Sequence, residues 1–202
     1  MIYLLRHGET LWNRGGRLQG QQDSPLTARG VAQARDNGLR LRQCIDDPKT
    51  WDIVASPLGR CWQTAVLVAE SLDLDPSIIR LEPRLREISY GIWEGQTHQE
   101  IAERHPSIWQ RRQADPWNYS APGGESYAAL SARSGAWLAG VDPAARLIVV
   151  SHGGTGRTLR GHHDGLSPRE TLALRSAHDT IHRLDGGHKL GRGKVASLSP
   201  TS

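Results

Sequence analysis

The chain has 202 residues, 37% hydrophobic and 23% charged, with 25 Lys+Arg against 21 Asp+Glu and a net charge of +4. That length suits one domain with its own core, and no stretch approaches the ~20 apolar residues of a membrane helix. Cys44 and Cys61 are the only cysteines, too few for a disulfide framework and not spaced as a metal motif. No Lys/Arg cluster comes with the aromatics of a nucleic-acid surface.

In chain order, Ile2-Tyr3-Leu4-Leu5 reads as a buried strand that ends at Arg6-His7-Gly8-Glu9-Thr10. It has no basic n-region and carries the histidine itself, so it is not read as a signal peptide. Thr27 is an N-cap for a helix with Ala28, Val31, Ala32 and Leu39 on one face, closed by Asp46-Asp47-Pro48. Asp52-Ile53-Val54-Ala55-Ser56 is a second strand, and Pro57-Leu58-Gly59-Arg60 then opens a helix with Ala65, Val68, Ala69 and Leu72 at helical spacing. Ser77–Leu81 is expected to be a third strand. Leu85–Gly95 is a glycine-punctuated loop with Glu87 and Glu94 on either side of an aromatic pair.

Residues 97–117 look helical and polar, broken by Pro106 and Pro116, and are expected to fold over the site as a cap (insertion about 97–125). The turn Pro122-Gly123-Gly124-Glu125-Ser126 opens a helix running through Trp137. Leu147–Ser151 is the clearest buried strand, followed at once by His152-Gly153-Gly154 and a helix; Asp179–Leu184 is a last strand. With no repeats and no linker, residues 1–202 read as one domain, with a Gly/Ser/Lys-rich tail, about 186–202, expected to be mobile.

Alternating strands and helices predict an α/β fold with a mostly parallel sheet. Parallel strands would bring Arg6, His7, Arg60 and His152 to one edge, where such sheets bind ligands. Two imidazoles, two guanidinium groups and a carboxylate suit phosphoryl transfer: an imidazole attacks phosphorus, arginines hold the equatorial oxygens, and a carboxylic acid protonates the leaving alkoxide. A cationic His152 would stabilise the transition state, and the N–H groups of the helix at Gly153 would favour an anion. Spacing alone does not say which histidine takes the phosphoryl group.

The ordered set Arg6–Thr10 with Trp12-Asn13, Asp23–Gly30, Ser56–Arg60 with Gln63-Thr64-Ala65, Arg86-Glu87 with Tyr90-Gly91 and Glu94-Gly95, and Ser151–Gly154 resembles the histidine phosphatase superfamily, the phosphoglycerate mutase-like group. The resemblance covers residues 2 to about 160. It implies a three-layer α/β/α sandwich, His7 as nucleophile, His152 as stabilising partner, Glu87 as proton donor beside Arg6 and Arg60, and no metal or other cofactor. Asn13, Gln19, Gly20, Tyr90 and Gly153, with Arg6 and Arg60, are the substrate-binding candidates. Glu94, in a Trp-Glu-Gly turn, is read as structural.

Mutases of this group have a lysine soon after the second glycine and a longer insertion; here Gly95-Gln96-Thr97-His98 lacks the lysine and the connection is short. Those features, with Pro122–Ser126, resemble the small bacterial phosphatases, whereas Arg111-Arg112 leans toward a mutase. The expectation is a cytoplasmic phosphomonoester hydrolase acting on a small phosphorylated metabolite, with no nucleic-acid or membrane partner. The alternatives are a cofactor-dependent phosphoglycerate mutase and a non-catalytic phosphate-binding module. A second copy of the chain is a candidate partner, dimers being the commonest assembly. His162-His163-Asp164 looks like a metal cluster but lacks a third ligand at a telling spacing and is read as a solvated loop; metal binding by His178 and His182 is not expected.

Overall fold

The computed structural model describes residues 1–185 and the backbone of 196–198. Three short apolar segments set the architecture: β1 (Ile2–Arg6), β2 (Asp52–Ala55) and β4 (Leu147–Ser151) are buried along almost their whole length. A strand buried on both faces needs a helical layer on each side. Alternate residues duly diverge. Tyr3, Leu5, Ile53, Ala55, Ile148 and Val150 pack with Leu41 of α2 (Ala28–Cys44) and with Ala65 and Val68 of α3 (Gly59–Ser71). Ile2, Leu4, Val54, Leu147 and Val149 face Trp137 and Leu138 of α6 (Tyr127–Ala139) and Leu159 of α7 (Gly153–Asp164). The result is the expected α/β/α sandwich.

The sheet has the order β3-β2-β4-β1-β5-β6, with β3 at Arg80–Leu81, β5 at Ile181–Leu184 and β6 at Ala196–Leu198. β1, β2, β3 and β4 run parallel; β5 pairs antiparallel with β1, and β6 antiparallel with β5, so that β5 is the one reversed strand among the described residues. Register matters most here. Arg6 lies opposite Ser151, and the Ser56 amide donates to the carbonyl of Val150, so His7, Ser56 and His152 leave the sheet side by side.

The chain passes the sheet edge so tightly that Gly8 and Gly30 face each other. A Cβ on Gly8 would lie 2.3 Å from the Gly30 carbonyl oxygen, and one on Gly30 would lie 2.0 Å from that of Glu9. The Thr64 hydroxyl accepts from the Gly8 amide (3.0 Å) and donates to the Arg60 carbonyl (2.8 Å), joining the first strand end to α3.

Several expectations need correction. The strand expected over Ser77–Leu81 starts inside a 3₁₀ turn at Pro76–Ile78, because Pro76 fixes φ and the Asp75 carboxylate caps the Ser77 amide at 2.8 Å; Ile79 is extended and Arg80–Leu81 alone pairs with the sheet. The short helices α1 (Leu11–Arg14) and α8 (Pro168–Ala173), and strand β6 inside the supposed tail, were not expected. The remainder of that tail lies outside the described residues. The 97–117 segment is α4 (His98–Arg104) and α5 (Pro106–Ala114), with Pro106 at the helix start where its missing N–H costs nothing. His162-His163-Asp164 is the last turn of α7 rather than a loop. His162 bonds with Ser131, His163 pairs with Asp164 (2.7 Å), and no cluster of three His, Cys, Asp or Glu that could hold a metal occurs among the described residues. No described helix is long and apolar enough to cross a membrane.

Buried histidine makes this fold pH-sensitive. His182 on β5 accepts at Nε2 from Arg160 (2.7 Å), and burial, then the Arg160 charge, lowers its pKa to about 4. The unfolded chain protonates near ~6.5, so the stabilisation is complete above that pH and is lost as the pH falls through about 4. Thermal denaturation across this window should show a falling Tm. The fall should be shallower in His182→Gln, which keeps an acceptor but does not titrate; equal slopes would contradict the assignment.

Candidate active site

At the carboxyl ends of β1 and β4 lies a pocket of about 130 Å³ whose walls include four arginines, Arg6, Arg17, Arg60 and Arg157, and one carboxylate, Glu87. His7 also lines it, though only 2% exposed. Its Nδ1 is 2.8 Å from the carbonyl oxygen of Gly8. A carbonyl can only accept, so Nδ1 carries the proton and the Nε2 lone pair is free. Burial first, then the neighbouring His152, Arg6 and Arg60, push the His7 pKa well below the ordinary imidazole value. The ring is therefore neutral at physiological pH.

Arg60 enters from the first turn of α3 and is 1% exposed. Its Nη1 donates to the Gln22 carbonyl (2.6 Å) and the Asp23 carboxylate (2.7 Å), and Nη2 donates to the Gly20 carbonyl (2.6 Å). Asp23 also accepts from the amide of Gly59 (2.6 Å), capping α3. Arg6 Nη1 donates to the Ser176 carbonyl (2.6 Å). The Nε–H groups of Arg6 and of Arg60 are buried without a partner. Buried unsatisfied donors are costly; two of them in one arginine-lined pocket are what an oxyanion would satisfy.

Glu87 reaches the pocket from the loop and occupies the N-terminus of α7, accepting from the amides of Gly154 (3.0 Å) and Thr155 (3.1 Å) and from its own neighbour Ile88 (3.0 Å). The expected free N–H groups at this helix start are therefore taken by the carboxylate, which the helix dipole also favours there. Gly154 leaves room for it: a Cβ would stand 2.5 Å from Glu87 Oε1. From α6, Arg133 pins the loop by donating to the carbonyls of Arg84, Arg86 and Glu87 (2.8, 2.8 and 3.0 Å) while paired with Glu125. Glu94, by contrast, accepts from the amides of Gln21 and Tyr90 (both 3.0 Å), so its oxygen is committed to holding two loops together.

His152 differs from expectation. It is 1% exposed and does not line the pocket; its ring stands edge-on to His7 with centroids 5.3 Å apart, and Nε2 is 2.7 Å from Ser56 Oγ. Burial, then Arg60 and Arg6, lower its pKa well below the usual value, so the resting partner is a neutral imidazole and not the cation expected. Cys61 packs against it, Sγ 3.4 Å from Nε2, with its thiol held protonated by burial. Asn13, Gln19, Gly20, Tyr90 and Gly153 all line the pocket. The Asn13 side-chain oxygen accepts from the amide and the hydroxyl of Thr10.

Sequence reasoning missed Arg17, Arg157 and His178. Arg157 lies one helical turn after Gly153, an i,i+4 spacing that could have revealed it. His178 also packs edge-on against His7, ring centroids 5.4 Å apart, with Nδ1 donating to the His7 carbonyl (2.6 Å). Nothing local to the sequence signals that contact. Of the pair Arg111-Arg112, Arg111 is exposed, and Arg112 lies over the Tyr127 ring (5.5 Å) in a neighbouring cleft.

The pattern of the histidine phosphatase superfamily (branch 1) matches residues 2–194. The chain belongs to that superfamily. It is 38% identical over 188 residues to a probable phosphoglycerate mutase, GpmB, of Enterobacter sp. (strain 638), covering 91% of this chain and 84% of the relative. Among solved structures, a mycobacterial glucosyl-3-phosphoglycerate phosphatase complexed with VO3 superposes with a TM-score of 0.78 at 28% identity, covering 99% of both chains. Bacillus stearothermophilus YhfR gives 0.78 at 30% identity, over 100% of this chain and 97% of the other.

The two unpartnered Nε–H groups make anion binding measurable without turnover. Orthovanadate at a hundred times its Kd should raise stability by about 2.7 kcal/mol, read as a shift of Tm. Arg6→Gln should lose most of that shift, and a wild-type Tm insensitive to vanadate and phosphate alike would overturn this reading of the pocket.

Proposed function

We propose that the chain hydrolyses phosphomonoesters through a phosphohistidine on His7. The observation that carries this reading is the free, neutral Nε2 of His7 in a pocket lined by four arginines and Glu87. Nε2 attacks phosphorus in line as the bond to the ester oxygen breaks, while Arg6, Arg60 and Arg157 hold the equatorial oxygens. Protonated Glu87 gives its proton to the departing alkoxide. The resulting carboxylate then takes a proton from the water that attacks the phosphohistidine, and phosphate leaves with His7 neutral again. His152 and His178 brace the His7 ring.

The absence of a lysine after Gly95 and the short connection before Ser126 support a hydrolase. The 38% identical relative named a probable phosphoglycerate mutase supports the second reading, return of the phosphoryl group to a phosphoglycerate. Assays with 3-phosphoglycerate, with and without bisphosphoglycerate, decide between them: water-dependent release of phosphate without isomerisation supports hydrolysis. Two free thiols, exposed Cys44 and buried Cys61, support a reducing, cytoplasmic setting.

Rapid quench with a labelled ester should trap acid-labile, base-stable phosphate on His7, and His7→Ala should abolish turnover; wild-type rates in that variant would refute the intermediate. Protonation removes the nucleophilic lone pair, so activity is lost as pH falls. Because the fold lowers the His7 pKa, that limb of the kcat/KM profile should lie below pH ~6.5. Glu87→Gln should lower kcat/KM for an alkyl phosphate by about 10²–10⁴ and cost p-nitrophenyl phosphate, with its good leaving group, clearly less. The same change at Glu94 should treat both esters alike; the reverse pattern would move the proton donor to Glu94.

A further inference from the structure

Beside the phosphate pocket, and sharing Leu18, Tyr90 and Arg157 with it, is a cleft of about 290 Å³ that the chemistry at phosphorus does not use. Its walls are aromatic: Trp93, Trp109 from α5, Tyr127 from α6, and Tyr90 at the shared boundary. Trp93 and Trp109 meet edge-to-face with centroids 5.8 Å apart, a packing that holds both ring faces in place. Two cations complete the cleft, and both are fixed by Tyr127: Arg112 lies over its ring and Arg157 donates to its hydroxyl (3.2 Å). No carboxylate is among the residues lining it.

We infer that this cleft receives the alcohol portion of the substrate, and that the preferred substrate is a phosphomonoester whose alcohol carries a flat aromatic group and no positive charge. The inference rests on the hydrolase reading above. An ester seated with phosphorus at His7 sends its alcohol oxygen toward the shared wall, where Tyr90 and Arg157 stand. Apolar surface from there onward is stabilised by leaving water. Trp93 and Tyr127 are already covered by protein, so the open aromatic surface is that of half-buried Trp109 and Tyr90, which a three-carbon acid would leave wet. An aromatic wall could in principle also attract a quaternary ammonium, but Arg112 and Arg157, with no carboxylate beside them in this cleft, oppose a cation there.

The test uses primary alkyl esters, so that leaving-group basicity stays nearly constant while the alcohol changes: ethyl phosphate, 2-phenylethyl phosphate, 3-phosphoglycerate and phosphocholine. The phenyl group should raise kcat/KM over ethyl phosphate on the order of 10- to 100-fold, with 3-phosphoglycerate and phosphocholine both below the phenylethyl ester. In Trp109→Ala the phenylethyl-to-ethyl ratio should fall about 3- to 10-fold, and Trp109→Phe should restore part of it. The wild-type ratio needs no variant, so it decides the matter even where Trp109→Ala folds poorly. Turnover of all four esters with a phenylethyl-to-ethyl ratio near one, or a preference for phosphocholine or 3-phosphoglycerate, would overturn the aromatic assignment alone. Failure to hydrolyse any of them would overturn it together with the hydrolase reading.

Discussion

A buried guanidinium is the constraint around which the rest of this protein is arranged. Arg60 is 1% exposed, and a cation that deep is tolerated only when its charge and donors are answered. The answers come from a loop almost forty residues earlier: the Gly20 and Gln22 carbonyls and the Asp23 carboxylate. Asp23 also caps α3, so satisfying one charge fixes both the helix start and the loop. That loop then meets Glu94, which accepts from the Gln21 amide and, on its other side, from Tyr90. One rim of the pocket thus follows from where Arg60 can be held.

The same crowding of positive groups sets protonation. His7, His152 and His178 all have lowered pKa values, burial being the first cause in each case and the arginines a further one. A pocket lined by arginines, with imidazoles of lowered pKa beside it, carries an excess of positive charge that favours an anion. Glu87 is the one negative group lining the cavity, and it is kept there by backbone amides of α7 and by the Arg133 clamp rather than by the arginines.

Beyond the phosphate pocket, the protein changes character. Tyr90 and Arg157 mark the boundary between a polar hole sized for a phosphoryl group and an aromatic cleft formed with α5. The superfamily relatives carry the names of both mutases and phosphatases.

The amino-acid sequence by itself determined the strands that end in Arg6-His7 and His152, the helix starts at Thr27 and Ser126, and the two-faced burial that requires a sandwich. Each is a local matter of apolar runs, caps and turns, readable within a few residues. Glu87 and the binding candidates came from the likeness of an ordered set of motifs to the superfamily, not from any local pattern. Only the tertiary structure decided that Glu87 would cap α7, across 67 residues, that His178 would brace His7, across 171, and that Arg133 would clamp the acid's loop. It likewise turned Ser77 and Ile78 into part of a 3₁₀ turn and sent the His152 hydrogen bond to Ser56 instead of into the cavity. Those outcomes depend on strand register and on which buried donor meets which acceptor, and no periodicity along the chain encodes either.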